Sequence, residues 1–389
     1  MRRTILLFSC LCTLVAFTAC EKNAGSNFYY YAPREYCVIR QYLNLPDYAV
    51  DYTVRLSKNL RVAGLVPAAV NSEQAQLGRV LFYDKHLSSD GSTACASCHK
   101  QELAFSDSTD FSSGVARKKG TRNAIALGSV ANFAAYYGKD LYPSSFIPYF
   151  WDNRANTAAD QSAAAMHNPR EMNMSEADIA AVVQQLPYYE PLFKRAFGDP
   201  SVSFYRVTVA MSNFINSLGS YQSRYDVGAS AFDYWVGDVP FFNFTQEENH
   251  GKTVYFKHCA ACHTGDMGRP FILNTNNGLQ ANTTDPGVGG ITGLEKDMGT
   301  FKVPVLRNIA LTAPYMHDGS LKTLEAVIEH YNTGIQPHPN LNYGLRDAKG
   351  APIQMNMSET DKKDLIAFLN TLTDESFLKD ERFSDPFLH

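Results

Sequence analysis

Apolar residues recur at helical spacing through most of this chain, and strand-like alternation is scarce. Over Gln74–Tyr83, Leu77, Val80 and Leu81 fall on one face and predict an amphipathic helix. Val202–Tyr221 predicts another, with Val207, Met211, Phe214, Ile215 and Leu218 on one side. Asn156–Gln185 reads as helix except at Asn168-Pro169, where a proline interrupts the backbone pattern. Pro187 and Pro191 break the piece that follows. Gln246–Phe256 predicts a helix with Val254 and Phe256 near its end, and Ser358–Thr373 a closing helix lined by Leu365, Phe368, Leu369 and Leu372. Thr264–Lys302 is rich in Gly, Asn and Thr, and so long a loop inside a domain is usually functional or wraps a cofactor. The expected class is mainly α.

The pattern of helix, loop and C-x-x-C-H occurs twice, at Cys95-Ala96-Ser97-Cys98-His99 and at Cys259-Ala260-Ala261-Cys262-His263. This is the attachment signature of a c-type haem: two thiols bond the porphyrin and the histidine ligates the iron. A zinc reading would want four ligands in compact pairs, and 160 residues separate Cys98 from Cys259. Two cytochrome c-like domains are therefore expected, each with one covalent haem. An N-terminal tether and wrap over 20–70 precedes a first domain over 71–236 and a second over 237–389, with the linker at Trp235–Phe244.

The N-terminus changes the compartment. Met1-Arg2-Arg3, the apolar run Ile5–Phe17 and Thr18-Ala19-Cys20 read as a lipoprotein-type signal over 1–19, with a lipid anchor at Cys20. Of eight cysteines, Cys10 and Cys12 leave with that leader, Cys20 takes lipid and four take haem. Cys37 is left over, as a buried free thiol or an intermolecular bridge, the first being favoured. The expected location is the periplasm or cell envelope. The formal charge of −4 becomes −6 once Arg2 and Arg3 leave, which argues against a nucleic-acid partner. The sequence leaves a homodimer open.

Several stretches resemble the bacterial di-haem cytochrome c peroxidases, and within them the MauG-like branch. They are Leu77-Gly78-Arg79-Val80-Leu81-Phe82, both haem motifs, Thr121-Arg122-Asn123-Ala124, Phe150-Trp151-Asp152-Asn153-Arg154-Ala155 and Asn168-Pro169-Arg170-Glu171-Met172. Phe301-Lys302-Val303-Pro304-Val305-Leu306-Arg307-Asn308 and Pro314-Tyr315-Met316-His317-Asp318-Gly319 complete the set. The resemblance implies a peroxidatic first haem on His99 and an electron-transfer second haem on His263. It implies that Gln161 and Glu171, ten and twenty residues after Trp151, serve peroxide cleavage. One carboxylate beside an open iron site can take and return the proton that this cleavage moves.

By the same resemblance Trp151 lies between the haems, and Tyr331 is the sixth ligand of the second, with Met316 or Met298 as alternatives. Asn123, Thr312 and Pro314 correspond to calcium ligands. Arg122, Arg154 and Arg307 are candidates for haem propionates or for ordinary salt bridges. No histidine lies between His99 and His167, so the first haem is expected to be open when ferric; His86, upstream, is a weak candidate for capping it. The function implied is reduction of hydrogen peroxide with electrons from a small cytochrome, a copper protein or an organic reductant. Oxidation of a specific protein or small molecule by peroxide is a second reading, and a di-haem electron carrier a third.

Overall fold

Two pairs of crossed helices organise the chain. The computed structural model describes residues 31–389 apart from 49, 63–66, 68, 129–147, 229–236, 264–271 and 283. The leader, Cys20, the start of the Trp235–Phe244 linker and the first part of the Gly- and Asn-rich loop lie outside the described residues. The chain's principal helices begin with α1 (Pro33–Ile39), α2 (Ser72–Tyr83), α3 (Cys95–Cys98), α4 (Ala158–His167), α5 (Glu176–Gln185) and α6 (Tyr189–Phe197). They continue with α7 (Phe204–Ser217), α8 (Gln246–His258), α9 (Ala260–His263), α10 (Leu324–Glu329), α11 (Glu359–Asn370) and α12 (Glu375–Leu378). The one described sheet is a two-residue antiparallel pair, β1 (Asn274–Thr275) against β2 (Phe301–Lys302). The fold is mainly helical, as expected.

The helix starts are written in the sequence. Asn71 Oδ1 accepts from Gln74 N at the head of α2. Thr157 with Asp160, Thr245 with Glu248 and Ser358 with Asp361 form capping boxes at α4, α8 and α11. Asn168-Pro169 separates α4 from α5, as the pattern predicts. Pro191 does not break its segment. It sits in the first turn of α6, where the missing N–H has no intrahelical role.

α2 packs across α7, and α8 across α11. Each crossing is closed by a glycine. A Cβ on Gly78 would lie 2.1 Å from Ala210 O, and one on Gly251 would lie 1.8 Å from Asp364 O. The first core gathers Leu77, Val80, Leu81, Phe82, Phe105 and Phe214; the second gathers Val254, Tyr255, Leu365 and Phe368.

The chain ends cross between these cores. Tyr31, Ile39, Leu43 and Tyr52 enter the first core, whereas Val54, Leu56 and Leu60 enter the second. Beyond α11 the chain returns, so that Phe377 and Phe383 are buried in the first core. Arg79 Nε and Tyr83 Oη donate to the carbonyls of Ser384 and Phe383 at 2.6 and 2.7 Å. Cys37 corrects an expectation: it is half-buried and disulfide-bonded, not a buried free thiol. Among the described residues, no helix is long and apolar enough to cross a membrane.

The glycine contact at the α8–α11 crossing has a measurable consequence. Gly251→Ala should destabilise the fold by about 1–3 kcal/mol, the usual cost of overpacking a tight contact. Denaturant titration would read this as a lowered midpoint, and an unchanged midpoint would mean the helices part freely.

Candidate functional site

The two C-x-x-C-H motifs are placed by the same device. Cys95 and Cys98 form the single turn of α3, and His99 caps it with its amide on Cys95 O. His99 is half-buried as a residue, and its ring Nδ1 lies 2.8 Å from Phe105 O. A carbonyl only accepts, so Nδ1 carries the hydrogen and Nε2 keeps its lone pair. Burial lowers the His99 pKa, which keeps the ring neutral. In the second motif His263 Nδ1 lies 3.0 Å from Pro304 O, and burial takes its pKa down to about 4. A neutral imidazole with Nδ1 tied to the main chain and Nε2 free is the form that binds a metal.

A cavity of about 220 Å³ surrounds the second motif. Its mostly apolar wall includes Cys259, Cys262, His263, Met316 and Tyr331, with Trp151 and Asn123 contributed by the first half. Two thiols and a neutral histidine on an apolar hollow suit a c-type haem. Tyr331 lies in a π-helical turn, His330–Gly334, that continues α10. Such turns re-aim side chains and recur at functional sites. Asn277 Nδ2 reaches both Tyr331 Oη, at 3.3 Å, and Met316 Sδ, at 3.4 Å. Burial pushes the Tyr331 phenol up to about 12, against the opposing pull of the Asn277 bond. Met298 is not in the cavity wall; its sulfur packs beside Gly289.

Around the first motif, Glu171 follows the turn that ends α4. Asn168 Nδ2 donates to its Oε1 at 2.6 Å. Burial raises the Glu171 pKa, opposed by Asn168 and by the Arg154 charge. The carboxyl lies near enough to Cys95 and Cys98 that its charge adds to the burial holding both thiols up. Gly114 presses on the backbone here: a Cβ would meet Arg170 O at 2.1 Å. Gln161 is half-buried on α4. His86 gives Nδ1 to Asp84 Oδ1 at 2.7 Å with 62% of its side chain exposed. Met166, in the span after His99, is buried in the first core.

Trp151 joins the two regions. Its Nε1 donates to Asn123 O at 2.8 Å, and its carbonyl accepts from Lys302 N. Ser106, next to the Phe105 that anchors His99, donates from Oγ to Ala124 O at 3.0 Å. Asn123, Thr312 and Pro314 share the cavity wall. Among the described residues no three His, Cys, Asp or Glu side chains cluster as a metal site.

The three arginines pair within the protein. Arg122 bridges Asp152 and Asp285, Arg154 pairs with Asp152, and Arg307 pairs with Asp226 at 2.7 Å, both partners almost wholly buried. Sequence reasoning misses Asn277, the Phe105 and Pro304 carbonyls, and Lys302. Burial lowers the Lys302 amine to about 7 as it donates to Pro148 O at 2.5 Å. Asn168, three residues before Glu171 in Asn168-Pro169-Arg170-Glu171-Met172, is a partner that spacing alone suggests.

Two covalent attachment motifs, each with a neutral histidine pinned to the main chain and a carboxyl beside the first, define a c-type haem oxidoreductase. A family model described as di-haem cytochrome c peroxidase matches residues 72–233. The cytochrome c551 peroxidase of Nitrosomonas europaea is 33% identical over 308 residues, covering 78% of this chain and 80% of that protein. The methylamine utilization protein MauG of Methylorubrum extorquens is 31% identical over 310 residues, covering 78% and 79%. The crystal structure of a MauG-like protein associated with microbial copper homeostasis matches with TM-score 0.64 and 34% identity, over 88% of this chain and 98% of that one. The chain belongs to the di-haem cytochrome c peroxidase family, and is an oxidoreductase of that type. The family implies two c-type haems.

Arg307 and Asp226 supply a test of the frame around the second site. Arg307→Ala would leave the Asp226 carboxylate buried without its guanidinium and should cost about 3–5 kcal/mol of stability. Thermal or denaturant unfolding of the holoprotein reads this directly; a loss below about 1 kcal/mol, the range of an exposed pair, would show that the pair is solvated in solution.

Proposed function

We propose that the protein reduces hydrogen peroxide at the first motif with electrons that enter through the second. Cys95, Cys98 and His99 would hold a c-type haem, which would supply a redox-active iron for peroxide reduction. The observation that carries the reading is the half-buried Glu171 beside that motif, whose pKa burial raises. Breaking the O–O bond unevenly requires a proton to leave one oxygen and reach the other. Glu171 takes and returns that proton, with Asn168 holding one carboxyl oxygen in place. Gln161 orients the peroxide by its amide. Trp151, hydrogen-bonded to Asn123 in the wall of the second cavity, lies on the electron route between the sites.

At the second site, Cys259, Cys262 and His263 would hold a haem, and Tyr331 would supply a further protein ligand to its iron. The Tyr331 oxygen accepts from Asn277, so its own hydrogen is not spent on that bond and can be lost on ligation. A hard anionic phenolate favours higher oxidation states of iron, whereas a thioether would raise the potential. That chemistry supports a second reading, in which peroxide oxidises a specific protein or small molecule through the same pair of sites. A calcium ion would rest on oxygens of Asn123, Thr312 and Pro314, the donor type that this cation prefers. The protein works in the periplasm, with a small cytochrome, a copper protein or an organic reductant as donor.

Glu171→Gln should slow the reaction of ferric protein with stoichiometric peroxide by about 100-fold or more in rapid-mixing absorption, with both haems retained. Only the carboxylate accepts a proton, and its pKa is raised, so the wild-type rate should fall with decreasing pH already above the usual carboxylate range. The variant should lack that acid limb, and unchanged kinetics would remove Glu171 from the chemistry. Tyr331→Phe should alter the absorption of the second haem alone. An unaltered spectrum would give the ligand role to Met316, the other side chain that Asn277 reaches.

A further inference from the structure

At the C-terminal end of α2, two phenols share one buried carboxylate. Tyr188 Oη and Tyr189 Oη both donate to Asp84 Oδ2 at 2.7 Å. All three residues are buried: Tyr188 is 2%, Tyr189 0% and Asp84 1% exposed. The other carboxyl oxygen, Oδ1, accepts from His86 Nδ1 at 2.7 Å, and His86 opens to solvent. The tyrosine rings lie 4.7 Å apart, and that of Tyr188 lies 5.3 Å from Tyr42, which is 40% exposed. Toward the first motif, Asp84 follows Phe82 by two residues, and the Phe82 ring lies 6.5 Å from that of His99.

Oxidising a phenol near neutral pH means removing an electron and a proton together, so a buried tyrosine reacts readily only with a base already on its hydroxyl. Tyr83 and Tyr36 donate instead to the carbonyls of Phe383 and Leu45, which cannot keep a proton. Burial and the Asp84 charge hold both Tyr188 and Tyr189 above the usual phenol value, so each is a protonated donor at rest.

We propose that Tyr188 and Tyr189 with Asp84 form a redox-active tyrosine site that stores an oxidising equivalent from the first motif and passes it through Tyr42 to small aromatic reductants at the surface. The inference rests on peroxide being reduced at that motif. One electron leaves a phenol of the pair toward the first site, where each peroxide consumes two electrons and two protons to give two waters. The phenolic O–H bond breaks and its proton forms a new O–H bond on Asp84 Oδ2. A phenol or aromatic amine at Tyr42 then supplies one electron and becomes a radical itself, and the proton returns from Asp84 to the tyrosine.

The test uses ferric holoprotein, freeze-quenched after one equivalent of peroxide and examined by electron paramagnetic resonance, with ring-deuterated tyrosine incorporated in a parallel sample. The expected result is an organic radical signal whose hyperfine structure collapses on deuteration. The double variant Tyr188→Phe/Tyr189→Phe should lose most of it while consuming peroxide at the wild-type rate. Asp84→Asn keeps an oxygen for His86 N but offers no base, and should slow radical formation. Tyr42→Phe, at the surface, should leave the radical intact and slow its decay by hydroquinone. An unchanged tyrosyl signal in the double variant, or wild-type protein that consumes peroxide without any such signal, would overturn the site. Unchanged decay in Tyr42→Phe would overturn the surface exit. Wild-type protein that consumes no peroxide would overturn the peroxidase reading, and this inference with it.

Discussion

The bond from each motif histidine to a main-chain carbonyl is the constraint on which the rest depends. His99 to Phe105 O and His263 to Pro304 O fix which nitrogen is free, and both rings are kept neutral by burial. A carbonyl can do this only if its own peptide is held. Phe105 therefore sits in the first core, its ring 5.9 Å from Phe82 and 5.6 Å from Phe377. Pro304 follows β2, whose Lys302 N is bound to Trp151 O. Each histidine is thus oriented by packing that reaches into the other half of the chain.

That cross-packing makes the two sites one mechanical unit. α11, which crosses the helix delivering the second motif, leads through Asp374 to Phe377 on the first core. Asn308 ties this return from both sides, its Oδ1 accepting from Asp374 N and its Nδ2 donating to Ser220 Oγ. Arg122 adds a polar clamp between Asp152 and Asp285. The Ser106–Ala124 and Trp151–Asn123 bonds run through the same junction, so the residues that lock the geometry also shorten the covalent and hydrogen-bonded path between the sites.

What the sequence makes legible follows from range. The spacing of Leu77, Val80 and Leu81, or of Leu365, Phe368 and Leu369, reports a face that must be buried, whatever it is buried against. The capping boxes and the two attachment motifs are likewise local. Pro191 misleads because proline breaks a helix interior but suits its first turn. Asn277 carries no signal, since an asparagine in a Gly- and Asn-rich loop looks like turn chemistry until the fold sets it between Tyr331 and Met316. The crossing of Phe377 and Phe383 into the first core is invisible for the same reason: their apolar character predicts burial, not where. The free-thiol expectation for Cys37 fails because one sulfur says nothing about its distance from another.

Proton acceptors are the feature that separates the roles within one half. Glu171 is half-buried beside the first motif, and burial raises its pKa. Asp84 lies farther along α2's end with both oxygens occupied by donors, Tyr188 and Tyr189 on one and His86 on the other. A carboxyl so fully engaged is poor at shuttling protons to a mobile substrate, yet well placed to receive one from a fixed phenol. Tyr83, on the same helix, meets a carbonyl and is confined to structure. A phenol on a carboxylate and a phenol on a carbonyl therefore differ in whether the acceptor beside it can keep a proton.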